Sequence, residues 1–411
     1  MRKFFAFVCI FIFMVLLLMT GCTHELHEID ITKDNSSENH KINSSDFEYT
    51  ISEDRALNTD IGVLSSIGHV RFFDGYIYLL AQGMIYRHNP ETGNTTALCD
   101  SPTCQHNTVD CPFIGISYAL GGLFIYDNKV YYHQDYSYTV QEDLSKEPDV
   151  FYVKRYVQYD IEKRLLTPLN DFESGIKSEN FADNYRYYLE TVIDENQNIN
   201  YNICKQDLTT FKTTKIKSLG SVITGISYVD NERIYLSNGV DLYFCELDNL
   251  ETDIHVYKGS IYDCIHDNDY IYMLINNENS KTLLRTDSEG NNSTILSDNV
   301  GYFCLTDKHI YFRKDEKITL GTTSKGESIQ VPDSKIYRLP KDGGEAELVF
   351  EFPSDMSNYF LSYFLVDGNY LYCPYGYYDA ENSDLYESFS SKELDFLRIN
   401  LLTQELYYIE Y

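Results

Sequence analysis

Seven times along this chain an aspartate opens a short run in which tyrosine and other apolar residues alternate. The runs are DGYIYLL from Asp74, DNKVYYH from Asp127, DNYRYYL from Asp183, DNERIYL from Asp230, DNDYIYM from Asp267, DKHIYFR from Asp307 and DGNYLYC from Asp367. Their starts are 53, 56, 47, 37, 40 and 60 residues apart. Asp-Gly and Asp-Asn tolerate the positive φ of a two-residue hairpin turn, and alternation with period two belongs to a strand with two unlike faces. Self-similarity at this spacing means one supersecondary unit that must stack on its own copies to bury both faces.

The segments around each turn complete the unit. An apolar strand precedes six of the turns, as HVRFF, GLFIY, GISYV, YDCIH, YFCLT and YFLV. After a variable gap comes a third strand, a polar turn and a fourth strand, as in MIYRHNPETGNTTALC, VQYDIEKRLLTPL, LYFCELDNLETDIHVY, TLLRTDSEGNNSTIL, KIYRLPKDGGEAELVF and FLRINLLTQELYYIEY. Four antiparallel strands repeated in this way predict an all-β protein, a β-propeller of seven blades, with six or eight left open by the uneven spacing. The 38 Tyr and 23 Phe, with no Trp, suit strands. FEYTIS at residues 47–52 is available as a closing strand for the last blade.

The Asp-Gly/Asn-x-x-Tyr turn and the Tyr-Arg-x-Asp/Asn third strand resemble the TolB-like and related propeller domains of surface lipoproteins in low-GC Gram-positive bacteria. The resemblance covers residues 50 to 411 and implies an architecture. It implies no activity, because propellers host binding, scaffolding and catalysis alike.

The first residues agree with a surface location. Arg2 and Lys3 precede an apolar run from Phe4 to Met19, and Thr20 and Gly21 stand directly before Cys22. The run is short for a spanning helix, which needs about 20 apolar residues, and reads as a secretion signal over residues 1–21. The Met-Thr-Gly-Cys ending resembles the lipobox of bacterial lipoproteins, which implies a diacylglycerol on Cys22 and an extracytoplasmic, membrane-anchored protein. Residues 22–46, rich in Ser and Asn, form a flexible tether in which His24, His27 and His40 are solvated, and residues 47–411 form the propeller. With 63 acidic residues against 33 basic ones, the chain repels phosphate backbones, and nucleic acid is excluded as a partner.

Between the first and second blades lies LCDSPTCQHNTVDCPF, with Cys99, Cys104, His106 and Cys111 in a thirteen-residue window. Three thiolates and an imidazole make a Cys₃His set suited to closed, structural zinc. The competing reading is a disulfide among the cysteines, which the exterior permits but which leaves one thiol over. Similar loops with a Pro-x-Cys-x-His core occur in related clostridial-type lipoproteins, a resemblance that implies no role. Cys264 and Cys304, each three residues before a turn aspartate, and Cys204 and Cys245 at matching third-strand positions read as buried core thiols.

In an up-and-down blade, the connection between blades and the connection from second to third strand emerge at one end of the disc. The long second-to-third insertions are Gln134 to Val150, Lys314 to Ser334 and Pro374 to Leu394. All elaboration, the cysteine loop included, is therefore expected at one end, where loops on a rigid scaffold carry binding. The last insertion offers Tyr375, Tyr377, Tyr378 and Tyr386 as rings for a sugar or peptide, with Asp379, Glu381 and Asp384 as hydrogen-bonding or calcium ligands. No nucleophile elbow, His-Glu-x-x-His, phosphate loop or EF-hand series is present. The sequence thus points to a binding or protein-interaction module for an unknown protein, peptide or glycan. The alternatives are a hydrolase or lyase with carboxylates in an axial funnel, and a partner of a membrane complex.

Overall fold

The computed structural model describes Asp54, residues 70–99 apart from 82–83, Cys104, residues 111–113, Ile116 and residues 123–409. Within the last range, 141–148, 172–175, 222–224, 268, 278–279, 324, 362, 380–383 and 388–395 are excepted. The signal peptide, Cys22, the tether and the proposed closing strand 47–52 lie outside the described residues, as do His106 and Glu381.

The chain is an all-β, seven-bladed propeller of four-stranded antiparallel sheets. Blade 1 is Val70–Phe73, Tyr76–Ala81, Met84–His88 and Thr95–Ala97, and blade 2 is Phe124–Tyr126, Lys129–Val140, Asp149–Asp160 and Leu165–Asp171. Blade 3 is Ile176–Ala182, Tyr185–Ile193, Ile199–Asp207 and Thr213–Gly220, and blade 4 is Gly225–Val229, Arg233–Ser237, Asp241–Glu246 and Asn249–Lys258. Blade 5 is Ile261–His266, Tyr270–Asn276, Lys281–Asp287 and Thr294–Asp298. Blade 6 is Val300–Leu305, His309–Lys314, Ile336–Pro340 and Glu347–Phe350, with a hairpin of Lys317–Thr322 and Ser328–Pro332 inserted after its second strand. Blade 7 splits its first strand into Tyr359–Leu361 and Leu365–Asp367, both paired with Tyr370–Asp379, and continues with Phe396–Asn400 and Leu406–Tyr408. First strands of neighbouring blades touch, as at blades 1 and 2, 3 and 4, 4 and 5, 6 and 7, and 7 and 1, so this edge of each sheet faces the axis.

The turn aspartates do two different jobs. In blades 1 to 3 the expected geometry is present: Asp74 and Gly75 have φ of 48° and 78°, Asp127 and Asn128 48° and 57°, Asp183 and Asn184 49° and 65°. Blades 4 and 5 depart from the expectation. There the aspartate stands one place earlier and caps the turn, Asp230 Oδ1 accepting from Glu232 and Arg233 N–H at 2.8 and 2.6 Å, Asp267 Oδ1 from Asp269 and Tyr270 N–H at 3.0 and 2.7 Å. An Asx cap needs no positive φ, which is why the residues after Asp230 are free to be Asn-Glu.

The second strand keys the blades together. Its first inward position holds Ile77, Val130, Arg186, Ile234, Ile271, Ile310 and Leu371 in blades 1 to 7, and the next position is tyrosine each time. Tyr78, Tyr131, Tyr187, Tyr235, Tyr272, Tyr311 and Tyr372 are all buried. Successive side chains of a strand point to opposite faces, so the tyrosine enters the core shared with the next blade and the aliphatic residue the core shared with the previous one. Tyr235, for example, packs with Ile271 and Met273, and Ile234 packs with Tyr187 and Leu189.

Arg186 is the exception to the aliphatic position. It is fully buried between blades 2 and 3, its Nε 2.7 Å from Glu179 Oε2 and its guanidinium 3.7 Å from the Tyr156 ring centroid.

Among the described strands, none is exchanged between blade 7 and blade 1. The ring meets there through side chains: Val70, Ile77 and Leu79 pack on Tyr370, Tyr372 and Phe396, and Arg398 Nη2 donates to the Pro90 carbonyl at 2.8 Å. Asp54 is a second tie. Its carboxylate accepts from Lys308 N–H at 2.9 Å and lies 2.6 Å from His309 Nδ1 in blade 6, while its carbonyl accepts from Gly368 N–H in blade 7 at 2.9 Å.

Candidate functional site

Strand order places the cysteine loop and the three long second-to-third connections at one end of the disc, as expected. Cys99 follows the fourth strand of blade 1, and the loop returns along blade 2, where Ile116 bridges Gln134. Blade 6 adds its hairpin at this end, and blade 7 adds Asp384–Glu387 to the outer reach of its second strand. The two elaborations pack together through Ile329, Val331, Phe360 and Tyr378.

The thiols of Cys99, Cys104 and Cys111 meet within 4.8 Å of one another, although the outer two are twelve positions apart in the chain. Cys99 and Cys111 are buried and Cys104 is half-buried, with the Cys99 and Cys111 sulfurs 4.0 Å apart. Tetrahedral zinc with bonds of about 2.3 Å sets its sulfurs about 3.8 Å apart, whereas a disulfide needs about 2.05 Å. Burial, with Cys104 and Cys99 close by, raises the Cys111 thiol well above the ordinary cysteine value, while the Phe113 N–H opposes the rise. A cation among the three sulfurs would reverse that balance, because it stabilises thiolates that burial otherwise disfavours. The donor set therefore fits a soft divalent metal, with three sulfur ligands in place.

The loop is wired into blade 2. The Pro112 carbonyl, next to Cys111, accepts from Tyr132 Oη at 2.6 Å and from Gln134 Nε2 at 2.7 Å, and Arg155 Nε donates to Gln134 Oε1 at 2.9 Å. Phe113 lies edge-on to Tyr159 at 4.7 Å and stacks on Tyr132 at 5.7 Å. Gln134 sits where the second strand of blade 2 leaves the core: Tyr131 to Gln134 are buried and Asp135 is exposed. Beyond it the ladder between Lys129–Val140 and Asp149–Asp160 continues for six more pairs, from Asp135↔Lys154 to Val140↔Asp149. This projecting ribbon carries Tyr138 stacked on Phe151 at 5.3 Å, and exposes Phe151 and Tyr152 by 45% and 83%. A free-standing two-stranded ribbon is marginal by itself; the cysteine loop braces its base.

The blade 7 candidates stand differently. Tyr375 is buried, stacked on Tyr359 at 5.8 Å, and Tyr378 is buried with its hydroxyl donating to the Thr322 carbonyl at 3.1 Å. Tyr377 is half-buried and stacks on Tyr359 at 5.5 Å. Strand pairing sets Tyr386 opposite Tyr377 and Asp384 opposite Asp379. Tyr378 thus joins the blade 6 hairpin to blade 7, while Tyr375 belongs to the core shared by blades 6 and 7. Exposed aromatics stand instead on the blade 2 ribbon, at Phe151 and Tyr152, whose signal in the sequence was the alternation of DYSYTV and FYV around an insertion. Cys204, Cys245, Cys264 and Cys304 are buried free thiols, in keeping with their repeat positions.

At the axis on this same end, Asp263 is the third residue of the first strand of blade 5. Burial raises its carboxyl to about 7, the Cys264 N–H partly opposing it, with no second carboxylate among the causes.

No protein-family model and no curated protein matches the sequence. Solved structures do match. A prolyl endopeptidase from a study of two such enzymes superposes with a TM-score of 0.50 at 14% identity, covering 85% of this chain and 49% of that one. An acylaminoacyl peptidase gives 0.49 at 9% identity, covering 86% and 53%. The β-propeller domain of the Trilobed protease from Pyrococcus furiosus gives 0.48 at 12% identity, covering 85% and 98%. The chain thus spans about half the length of the first two enzymes, and the likeness is one of propeller fold.

Proposed function

We propose that the protein is a surface-tethered, extracytoplasmic propeller of the TolB-like kind, anchored through lipid on Cys22, that recognises a protein, peptide or glycan with the elaborated end of its disc. In this reading Cys99, Cys104 and Cys111, with His106 as fourth ligand, hold structural zinc. The metal fixes the loop that braces the blade 2 ribbon, and the ribbon presents Phe151 and Tyr152 to the partner. The observation that carries the reading is the pair of hydrogen bonds from Tyr132 and Gln134 to the carbonyl beside Cys111, which join the thiol cluster to the base of the ribbon. Exposed aromatic side chains on a rigid support supply contact area at low entropic cost.

The mature chain should contain one zinc per molecule by elemental analysis, with all thiols titratable once it is denatured in chelator. Cys104→Ser should abolish the zinc, raise hydrogen exchange across residues 134–155, and weaken capture of the partner from cell envelopes. Phe151→Ala with Tyr152→Ala should weaken capture while leaving zinc unchanged. A chain with no metal and two thiols missing from the titration would replace the zinc with a disulfide. Capture indifferent to both sets of substitutions would refute the ribbon as the recognition surface.

A further inference from the structure

Between blades 3 and 4 a thiol, an amine and a carboxylate meet. Lys217, in the fourth strand of blade 3, sets its Nζ 3.2 Å from the Cys245 sulfur of blade 4, 2.6 Å from Asp253 Oδ1 and 2.7 Å from the Leu250 carbonyl. Cys245 Sγ is itself 3.0 Å from Asp253 Oδ1. The backbone departs from a regular ladder to make this arrangement. Between the third and fourth strands of blade 4, Phe244 pairs with Ile254 and Glu246 with Asn249, so Leu250 to Asp253 all stand against Cys245. Bulges of this kind re-aim side chains and are over-represented beside active groups. Here the bulge brings the Leu250 carbonyl and the Asp253 carboxylate onto the amine and the thiol.

The hydrogen bonds define who holds each proton. The ammonium donates to the sulfur, the Leu250 carbonyl and Asp253, and the sulfur gives its own proton to Asp253. Burial raises the thiol to about 11, Asp253 adding to the rise and Lys217 opposing it. At rest the sulfur is therefore a thiol, with a base and an amine held against it. Cys245 is fully buried, but the Asp253 side chain that touches it is 47% exposed, so the sulfur lies directly beneath a group that meets solvent. Cys204, in the third strand of blade 3, makes the contrast. Its sulfur lies 3.7 Å from Glu190 Oε2 and, among the described residues, has no lysine within hydrogen-bonding distance.

We propose that Lys217 and Cys245 are a modification site, at which hydrogen peroxide ties blade 3 to blade 4 through a reversible covalent S–N bond. In the first step Asp253 takes the thiol proton and the sulfur attacks the peroxide. The S–O bond forms, the O–O bond breaks, and the departing hydroxide recovers that proton as water; sulfur has lost two electrons to the peroxide, giving a sulfenic acid. In the second step Asp253 takes a proton from the ammonium, and the freed amine attacks the sulfur. The S–N bond forms, the S–O bond breaks, hydroxide leaves as water with the proton held on Asp253, and nitrogen releases one further proton to solvent. Condensation of a sulfenic acid with nitrogen to a sulfenamide is established cysteine chemistry. A dithiol reverses the link, restoring thiol and amine while it is itself oxidised to a disulfide. The cross-link is independent of the metal, the lipid anchor and the elaborated end of the disc.

Peptide mapping by mass spectrometry of the mature chain, before and after millimolar hydrogen peroxide, is the test. The peptides that hold Lys217 and Cys245 should be recovered joined, lighter by two hydrogens than their sum, and should separate in dithiothreitol. Lys217→Arg keeps the charge but removes the amine, so its Cys245 should stop at the sulfenic acid and be trapped by dimedone. Cys204 in the same samples should be joined to no lysine. The proposal is overturned if Cys245 of the parent remains a thiol after prolonged exposure, if it is carried to the sulfinic acid with Lys217 unmodified, or if Lys217→Arg forms a joined pair of the same kind. The first two results are read in the parent protein, so they decide the matter even where the variant fails to fold.

Discussion

Removing the Glu179 carboxylate tests the account of how the blades lock together. Arg186 occupies the position filled by Ile, Val or Leu in the other six blades, and Glu179 stands across from Tyr188 in the first strand of its own blade. In blades 1 and 4 the corresponding places opposite Leu79 and Leu236 hold Val70 and Ile226. Blade 3 has therefore replaced an aliphatic pair by an ion pair whose members are 0% and 4% exposed. Glu179→Ala leaves the guanidinium in the blade 2–3 core with only Gln206 Oε1 at 3.4 Å as side-chain acceptor, and should cost about 3–5 kcal/mol. The double variant Glu179→Val with Arg186→Ile restores the pattern of the other blades. It should lie within about 1 kcal/mol of the parent or above it, since well-packed apolar replacements of buried ion pairs are neutral or stabilising. Urea unfolding of parent, both single variants and the double variant, followed by far-UV circular dichroism, measures the cycle. If the double variant is as unstable as Glu179→Ala, the interface depends on the ions themselves and the repeat-based argument fails.

Three further outcomes follow from other parts of the disc. His88, His133 and His266 are buried, and burial lowers each to about 3, so they fold neutral. Their stabilisation is complete above the unfolded value of about 6.5 and is lost as pH falls toward 3, at about 1.4 kcal/mol per pH unit for each histidine; a urea midpoint that stays level between pH 6.5 and 4.5 would contradict this. Arg398→Ala deletes the bond to the Pro90 carbonyl at the junction of blades 7 and 1, and should cost about 1.5–3 kcal/mol while speeding hydrogen exchange in Val70–Phe73 and Leu406–Tyr408 more than in blades 4 and 5. Gly321→Ala would set a methyl 2.2 Å from the Tyr378 ring, so it should loosen the blade 6 hairpin from blade 7, seen as proteolysis within residues 317–332 that the parent resists.

The sequence by itself determined the repeat and hence the architecture, because hairpin turns and period-two alternation are decided within four to eight residues. The Asp-Gly and Asp-Asn turns at Asp74, Asp127 and Asp183 are cases where dihedral preference alone sets the geometry. The thiol cluster was legible for the same reason, its three cysteines being confined to thirteen residues of one connection. Even the end of the disc that carries the insertions followed from counting strands. Other features had no local signature. Whether Tyr378 met solvent depended on a hairpin from the preceding blade, and the partners of Asp54 lie more than 250 residues away. The burial of Arg186 is set by the neighbouring blade, whose Tyr156 ring covers it. Turn chemistry and periodicity act over short stretches of chain, whereas burial and charge pairing depend on which distant surfaces are pressed together, and that only closing the ring decides.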